Sequence, residues 1–384
     1  MTGNKQSLKI LHIVPSYKPA YGYGGTIESV ARLCEGIVNA GAHVKVFTTT
    51  ANGTSELDVI PGKEYTVDGV QVIYFKRIFK DPYYISPALW RKLYRECKSY
   101  DVVHIHSWWN MIVIVAAFIC SIKKVKMILS PHGMMSNYIL QNSKDVLKKI
   151  INTAGGKSVL KLTCFHATSN DEYAGCKNFI QDWKGFVVPN IVWLPLLEIF
   201  KTPNSVFTIV FLSRIHPKKG IELLMEAISK FAEKPLLKIA GSGDENYIEK
   251  LKQYAKELGI NETTEWLGWQ DREQKFDVLM HADLLALTSY NENFGNVVVE
   301  SLYATTPVLI SGEVGLHSFV EEHDLGWVCS TDVNDIFLKL KEAINDKVKR
   351  LHVAATAPSL IKNAFSEESL VPQYLRQYTA VKNA

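Results

Sequence analysis

None of the six cysteines, Cys34, Cys97, Cys120, Cys164, Cys176 and Cys329, forms a Cys-x-x-Cys pair. That excludes the common structural zinc frame. Mostly apolar neighbours point instead to reduced core thiols in a cytosolic protein. Long apolar runs are also missing. The longest, Met111–Ile122, is twelve residues; it is too short to span a bilayer and suits a buried helix. The start, Met-Thr-Gly-Asn-Lys, leads straight into a strand pattern, so no signal peptide is expected. The dinucleotide fingerprint Gly-x-Gly-x-x-Gly is absent, which counts against a nicotinamide enzyme. No Asp-x-Asp pair offers itself to a metal that bridges phosphates. There is no internal repeat and no low-complexity segment.

What is present is a chain of 384 residues, 47% hydrophobic and 21% charged. Such a chain is expected to fold as two α/β domains. Its net charge of +4 hides an asymmetry. Residues 1–200 hold 23 Lys+Arg against 14 Asp+Glu, and residues 201–384 hold 20 against 25. A basic first half suggests an anionic partner, a membrane surface or a phosphorylated substrate. Solvated lysines account for the same asymmetry equally well.

Short β-branched runs alternate with longer helical patterns. The first half offers Lys9–Val14, Val44–Thr48, Val70–Tyr74, Val102–Ile105, Met127–Leu129, Cys164–Ala167 and Phe186–Val188. The second offers Thr208–Leu212, Leu237–Ala240, Glu265–Leu267, Leu284–Leu287, Val308–Ile310 and Trp327–Cys329. Alternation of this kind implies parallel sheets covered on both faces and joined by right-handed crossovers. Two such series predict two Rossmann-like, doubly wound domains. Prolines 189, 195 and 203 place the boundary within 189–204. The predicted domains are 1–192 and 204–364. Leu370, Tyr374, Leu375 and Tyr378 recur at helical spacing, so 365–384 is predicted as a helix crossing back to the first domain.

The most informative segment runs from Ser289 to Glu300, Ser-Tyr-Asn-Glu-Asn-Phe-Gly-Asn-Val-Val-Val-Glu. It follows a strand and reads as a tight loop, then a helix. Amide groups at such a helix start suit an anion. Glu292 lies on the loop and Glu300 in the first turns of the helix, placed to grip two ends of a nucleotide-diphosphate-linked molecule. Ser213-Arg214-Ile215-His216-Pro217-Lys218-Lys219-Gly220 also follows a strand. The fork of Arg214 and the point charge of Lys219 suit a diphosphate, although a solvated basic loop has the same composition. Three weaker signals accompany these two. Gly24-Gly25 opens a helix after the first strand, where glycines allow a phosphate or sugar close to the backbone, although such a pair alone more often just turns the chain. His132, in Pro131-His132-Gly133, sits at a strand's C-terminal end, where open α/β sheets bind ligands, although taken alone it reads equally well as a satisfied structural histidine. Gly241-Ser242-Gly243 either admits a nucleotide close to the backbone or merely turns the chain. His104 and His106, two apart on one strand, read as structural.

Taken in order, these motifs resemble glycosyltransferase family 4 over nearly the whole chain. That family comprises retaining nucleotide-sugar transferases of the GT-B fold, two Rossmann-like domains facing a central cleft, and the likeness is to its bacterial surface-glycan members. The resemblance implies roles. Arg214 and Lys219 hold the diphosphate. Glu292 contacts donor-sugar hydroxyls, with the amides of Phe294, Gly295 and Asn296 adding hydrogen bonds. Glu300 takes the ribose hydroxyls. His132 lies beside the transferred sugar, and Gly25 approaches the phosphate or the reaction centre. Gly241 and Gly243 border the donor, and Trp269 lies near the base. The donor is then a UDP- or GDP-linked sugar, bound without metal or other cofactor.

Three positions depart from the family pattern. Asn293 replaces a usual Gly; Asn tolerates left-handed geometry better than most residues, so the loop is expected to survive the change. Thr305 replaces the Gly that ends the helix after Glu300. Leu316 replaces the second Gly of a pair, which bears on local contacts to sugar or phosphate.

The acceptor is expected on the first, basic domain, as a glycan or a polyprenyl-linked lipid. Two basic-aromatic patches, from Lys76 through Arg95 and from Lys144 to Lys161, suit an anionic membrane surface. This predicts a cytoplasmic protein, peripheral on the inner face of the membrane. Ordinary lysine rims on packed helices explain the patches as well. No stacking platform or recognition helix accompanies the charge, so nucleic acid is not expected. Two other readings share these motifs: a GT-B nucleotide-sugar epimerase, and a catalytically silent sugar-nucleotide-binding scaffold.

Overall fold

The computed structural model describes residues 7–21, 24–53, 55–78, 84–141, 155–196 and 204–384. The chain forms two compact units, 1–191 together with 367–384, and 192–366.

The first unit contains β1 (Lys9–Ile13), β2 (His43–Thr49), β3 (Ala51–Asn52), β4 (Ser55–Glu56), β5 (Glu64–Val67), β6 (Val70–Phe75), β7 (Val102–His106), β8 (Met127–Ser130), β9 (Cys164–Ala167) and β10 (Gly185–Val187). Eight of them make one sheet in the order β10-β9-β8-β7-β1-β2-β6-β5. All pair in parallel except β5, which runs antiparallel to β6. The sequence reading missed β5. Asp68 and Gly69 both hold positive φ, 49° and 81°, and an Asp-Gly pair with that geometry is a signal for a two-residue hairpin. Parallel strands buried on both faces need apolar residues throughout, and β7 and β8 are buried along their full length.

Helix Met111–Lys123 covers this sheet. Asn110 starts it, its side chain accepting from the Val113 amide (3.2 Å), and Lys124 ends it in a left-handed turn. Helix Glu367–Asn383 joins the same unit. It buries Leu370, Val371, Tyr374 and Tyr378 against the core that contains Ile10, Val30 and Val46.

The second unit contains β11 (Thr208–Leu212), β12 (Leu236–Ala240), β13 (Thr264–Gly268), β14 (Leu284–Leu287), β15 (Val308–Ser311) and β16 (Gly326–Cys329). Their order is β13-β12-β11-β14-β15-β16, entirely parallel. In chain order this reads 3-2-1-4-5-6, the doubly wound arrangement with its reversal between β11 and β14. Phe294 and Phe319 pack edge-on against Phe365, which therefore belongs to this core. Among the described residues no helix is long and apolar enough to cross a membrane.

Candidate functional site

Open α/β sheets bind ligands where the strand order reverses, outside the carboxyl ends of the strands. In the second unit that point lies between β11 and β14. The loop after β11 carries Arg214, Lys218 and Lys219, and the loop after β14 carries Glu292. Two hydrogen bonds stitch the loops together. The Tyr290 amide donates to the Lys218 carbonyl (2.9 Å) and the Thr288 hydroxyl to the Gly220 carbonyl (2.8 Å). The Lys219 ammonium then meets the Glu292 carboxylate in an ion pair. A third loop, after β15, anchors Glu292 from the other side. The Glu292 amide donates to the Glu313 carbonyl, and the Gly315 amide donates to the Glu292 carbonyl, both at 2.9 Å.

Positive charge is crowded here. Burial lowers the affinity of Lys218 for its proton; Glu292 opposes that, while Lys219 and Arg214 add to it. His216 is lowered as well, by burial and then by Arg214, Lys218 and Lys219. Arg214 is exposed. A loop whose cations disfavour one another gains from an arriving anion. Lys218, quoted within the motif but not singled out from sequence, belongs to this cluster.

Gly241 and Gly243 lie beside the same loop. An added Cβ at either position would collide with a backbone carbonyl, of Ser213 at Gly241 and of Ile215 at Gly243. The Ile215 amide donates to the Ser242 carbonyl (2.8 Å). These glycines therefore hold the β12 turn against the basic loop, the chain-turning use of the motif.

Gly295 takes φ 89° and starts helix Asn296–Tyr303, which no side chain caps. Asn293 is not among the residues with positive φ, so the loop does not draw on its tolerance of left-handed geometry. The turn places its left-handed residue at Gly295, where the lack of a Cβ makes that conformation easy. Phe294 is buried with its ring in the core, leaving only its backbone to face a ligand. Glu300, one turn into the helix, is also buried, in an ion pair with Lys275 of helix Arg272–Met280. Sequence reading missed Lys275, because the 25-residue separation carries no periodic signal. Trp269, in the loop after β13, is 62% exposed. Thr305 holds φ 66°, the left-handed conformation a glycine would take there. Leu316 is buried and immediately precedes helix His317–Glu322.

In the first unit, Gly25 and His132 follow β1 and β8, at the carboxyl edge of one parallel sheet. Gly25 opens helix Gly25–Asn39 after Gly24 at φ 89°; Gly22 and Tyr23 lie outside the described residues. His132 and Gly133 both take positive φ, 51° and 78°. Buried Glu172 fixes this turn by accepting from the Gly133 amide (2.7 Å) and from the Thr168 amide (2.8 Å). Glu172 was not visible as a site-shaping residue in the sequence. His132 Nε2 contacts His106 Nδ1 at 3.0 Å, and His106 Nε2 contacts His12 Nδ1 at 2.9 Å. Burial above all pushes His132 down to about 3 and His12 to about 3, so both are neutral near pH 7.

Of the basic-aromatic patches, residues 79–83 and 142–154 lie outside the described residues. Arg77 is corrected as a surface base: its guanidinium is buried, donates from Nε to Glu56 (3.1 Å) and lies over the Tyr84 ring. Tyr94 is exposed, with the Lys123 ammonium 3.5 Å from its ring centroid. Lys157 is exposed, its ammonium 4.8 Å from the Phe179 ring centroid.

The chain matches the family Glycosyltransferase Family 4 over residues 23–193 and the family Glycosyl transferases group 1 over residues 197–360. It is 25% identical to an uncharacterized glycosyltransferase of Methanocaldococcus jannaschii, across 97% of this chain and 98% of that one. It is 26% identical to the lipopolysaccharide core biosynthesis glycosyltransferase LpsE of Rhizobium meliloti, across 46% of this chain and 50% of that one. Among solved structures, Anabaena HepE in complex with UDP and glucose superposes with a TM-score of 0.75 at 20% identity, covering 97% of this chain and 100% of HepE. Two Rossmann-like units, each with its candidate residues at the carboxyl edge of a parallel sheet, and family matches across both units have one meaning: the chain belongs to the glycosyltransferases of family 4, enzymes of the GT-B fold.

Proposed function

We propose that the protein transfers a sugar, with retention of anomeric configuration, from a UDP- or GDP-linked donor to a glycan or polyprenyl-linked acceptor in surface-polysaccharide assembly. The Lys219–Glu292 ion pair at the strand-order reversal carries this reading. In the unliganded protein each charge balances the other. An arriving diphosphate draws Lys219 to itself, and Glu292 becomes the acceptor for hydroxyls of the donor sugar. Arg214 and Lys218 add positive charge on the same loop. As the anomeric C–O bond breaks, negative charge develops on the departing phosphate oxygen. Cations already in place stabilise it with little reorganisation. They supply what a metal would, and the sequence has no Asp-x-Asp pair to hold one.

Glu300, its charge balanced by Lys275, takes the ribose hydroxyls, and exposed Trp269 flanks the base. The acceptor hydroxyl attacks the face from which the phosphate leaves and gives its proton to that phosphate. A double displacement would instead need a carboxylate nucleophile against the anomeric carbon, and Glu292 is committed to hydroxyl binding. LpsE, by its name, acts in lipopolysaccharide core biosynthesis, which favours a glycan acceptor. The excess of basic residues in 1–200 favours work at an anionic inner membrane face, from the cytoplasm.

A thermal-shift panel of UDP-, GDP- and ADP-sugars tests the donor, because a ligand bound only by the folded form raises stability by mass action. One nucleotide class should shift wild type and fail to shift Glu300→Ala. Equal shifts in both proteins would refute the ribose assignment. The anomeric configuration of the product, read by NMR, tests retention, and a trapped glycosyl–Glu292 adduct would refute the same-face route.

A further inference from the structure

The His132 turn is the outer end of a buried hydrogen-bond chain. From His132 Nε2 it runs to His106 Nδ1 (3.0 Å), and from His106 Nε2 to His12 Nδ1 (2.9 Å). His12 Nε2 faces the Tyr378 hydroxyl at 3.5 Å, and that hydroxyl meets His104 Nδ1 at 2.6 Å. His104 Nε2 meets Ser130 Oγ (2.7 Å), Ser130 Oγ meets His166 Nδ1 (2.7 Å), and His166 Nε2 ends on the Val188 carbonyl (2.8 Å).

One end of this chain has a fixed role: the Tyr374 hydroxyl also lies 3.2 Å from His166 Nε2, but its proton goes to the Pro189 carbonyl (2.9 Å), so it does not donate to that nitrogen. A carbonyl oxygen only accepts, so His166 carries its proton on Nε2 and leaves Nδ1 as an acceptor. The Ser130 hydroxyl must donate to that Nδ1, and it then accepts from His104 Nε2–H. His104 Nδ1 is consequently an acceptor and takes the single proton of Tyr378. The phenol oxygen, its proton committed, can only accept from His12 Nε2–H. His12 Nδ1 then accepts from His106 Nε2–H, and His106 Nδ1 accepts from His132 Nε2–H. The opposite order in the last three rings would set the His12 Nε2 lone pair against the phenol oxygen.

We propose that this chain locks His132 in the Nε2–H tautomer and leaves Nδ1 a standing hydrogen-bond acceptor, which makes His106, His12 and Tyr378 positioning residues for His132. The functional consequence rests on the reading that His132 lies beside the transferred sugar: a neutral Nδ1 accepts from a hydroxyl without reorienting. The one-way order also requires neutral rings, since an imidazolium donates from both nitrogens. All five rings are held well below the usual histidine range, by burial first. Nitrogens of His12, His104 and His106 lie within 4.8 Å of one another, close enough to suggest a metal. Both nitrogens of His104 and both of His106 are already engaged within the chain, which favours hydrogen bonding over coordination.

Nitrogen-15 NMR of ligand-free protein with labelled histidine reads the tautomer directly, whether or not His132 meets a sugar. At neutral pH, His132 should show a protonated Nε2 and an unprotonated Nδ1. In Tyr378→Phe the second His132 tautomer should appear. With donor and acceptor, His106→Phe should lower kcat by roughly tenfold to a hundredfold. His106→Asn, whose amide oxygen can accept from His132, should restore most of it. An Nδ1–H or doubly protonated His132 in wild type, an unchanged spectrum in Tyr378→Phe, equal losses in the Phe and Asn variants, or stoichiometric bound metal would each overturn the proposal.

Discussion

The Lys219 ammonium and the Glu292 carboxylate, 73 positions apart, form an ion pair across the loops that follow β11 and β14, with their side chains 12% and 22% exposed. The pair sits at the reversal of strand order, where a doubly wound sheet opens a crevice. Neither residue is held by its own strand alone. Backbone hydrogen bonds from Tyr290 to Lys218 and from Gly315 to Glu292 set the distance between them.

Removing Lys219 takes away a charge placed for the leaving diphosphate. Lys219→Ala is expected to lower kcat by about 10²–10³, the scale of losing one transition-state donor. It should also abolish the thermal shift given by the preferred nucleotide sugar. Steady-state kinetics with that donor check it, and a loss confined to KM would contradict the role.

Lys275 and Glu300 form a buried pair, with side chains 11% and 6% exposed. Lys275→Met removes the cation paired with the buried Glu300 carboxylate and is expected to cost about 3–5 kcal/mol. Lys275→Met with Glu300→Gln should recover most of that stability without recovering donor binding. Denaturant unfolding of the single and double variants checks both statements.

Thr305 is a β-branched residue held at φ 66°. Glycine takes that conformation without a Cβ clash, so Thr305→Gly is expected to stabilise the second unit by about 1 kcal/mol. For a unit of this size that is a rise in Tm of ~2–4 °C. A lower Tm would mean that the threonine side chain contributes more than its backbone strain costs.

Acidification should weaken the first unit. Its buried histidines are neutral in the fold, with His12 and His132 lowered to about 3 and His166 to about 4. In the unfolded chain each binds a proton near the ordinary value of ~6.5. The unfolded state therefore holds more protons below that value, and stability falls as pH drops from ~6.5 toward the folded values. Each such ring contributes on the order of 1 kcal/mol per pH unit in that window. Denaturant midpoints from pH 7 to pH 5 check it. A midpoint independent of pH would mean that the rings titrate in the fold as they do in the unfolded chain.

Much of the architecture was legible because parallel strands buried on both faces are nearly continuous apolar runs. Leu284–Leu287 and Val308–Ile310 stand out for that reason, and both are strands. The short edge strand β5 has only four residues of alternating burial and was passed over. The basic loop and the paired-glutamate segment were legible because their residues are contiguous and follow strands. Lys275, Glu172 and the His12–His106–His132 contacts were not, since each joins residues from separate elements and leaves no local spacing to read.

The sequence by itself determined the two alternating strand–helix series, the ends of many elements and the candidate residues of each loop. These follow from local chemistry: apolar period, proline at boundaries and glycine at turns. Only the tertiary structure decided partners. It joined Lys219 to Glu292 and Lys275 to Glu300, turned Arg77 inward onto Glu56, and made structural-looking His104 and His106 members of a chain that ends at His132. The physical reason is that hydrogen bonds and ion pairs act over a few ångströms of space. The strand order of a parallel sheet decides which distant loops come within that reach.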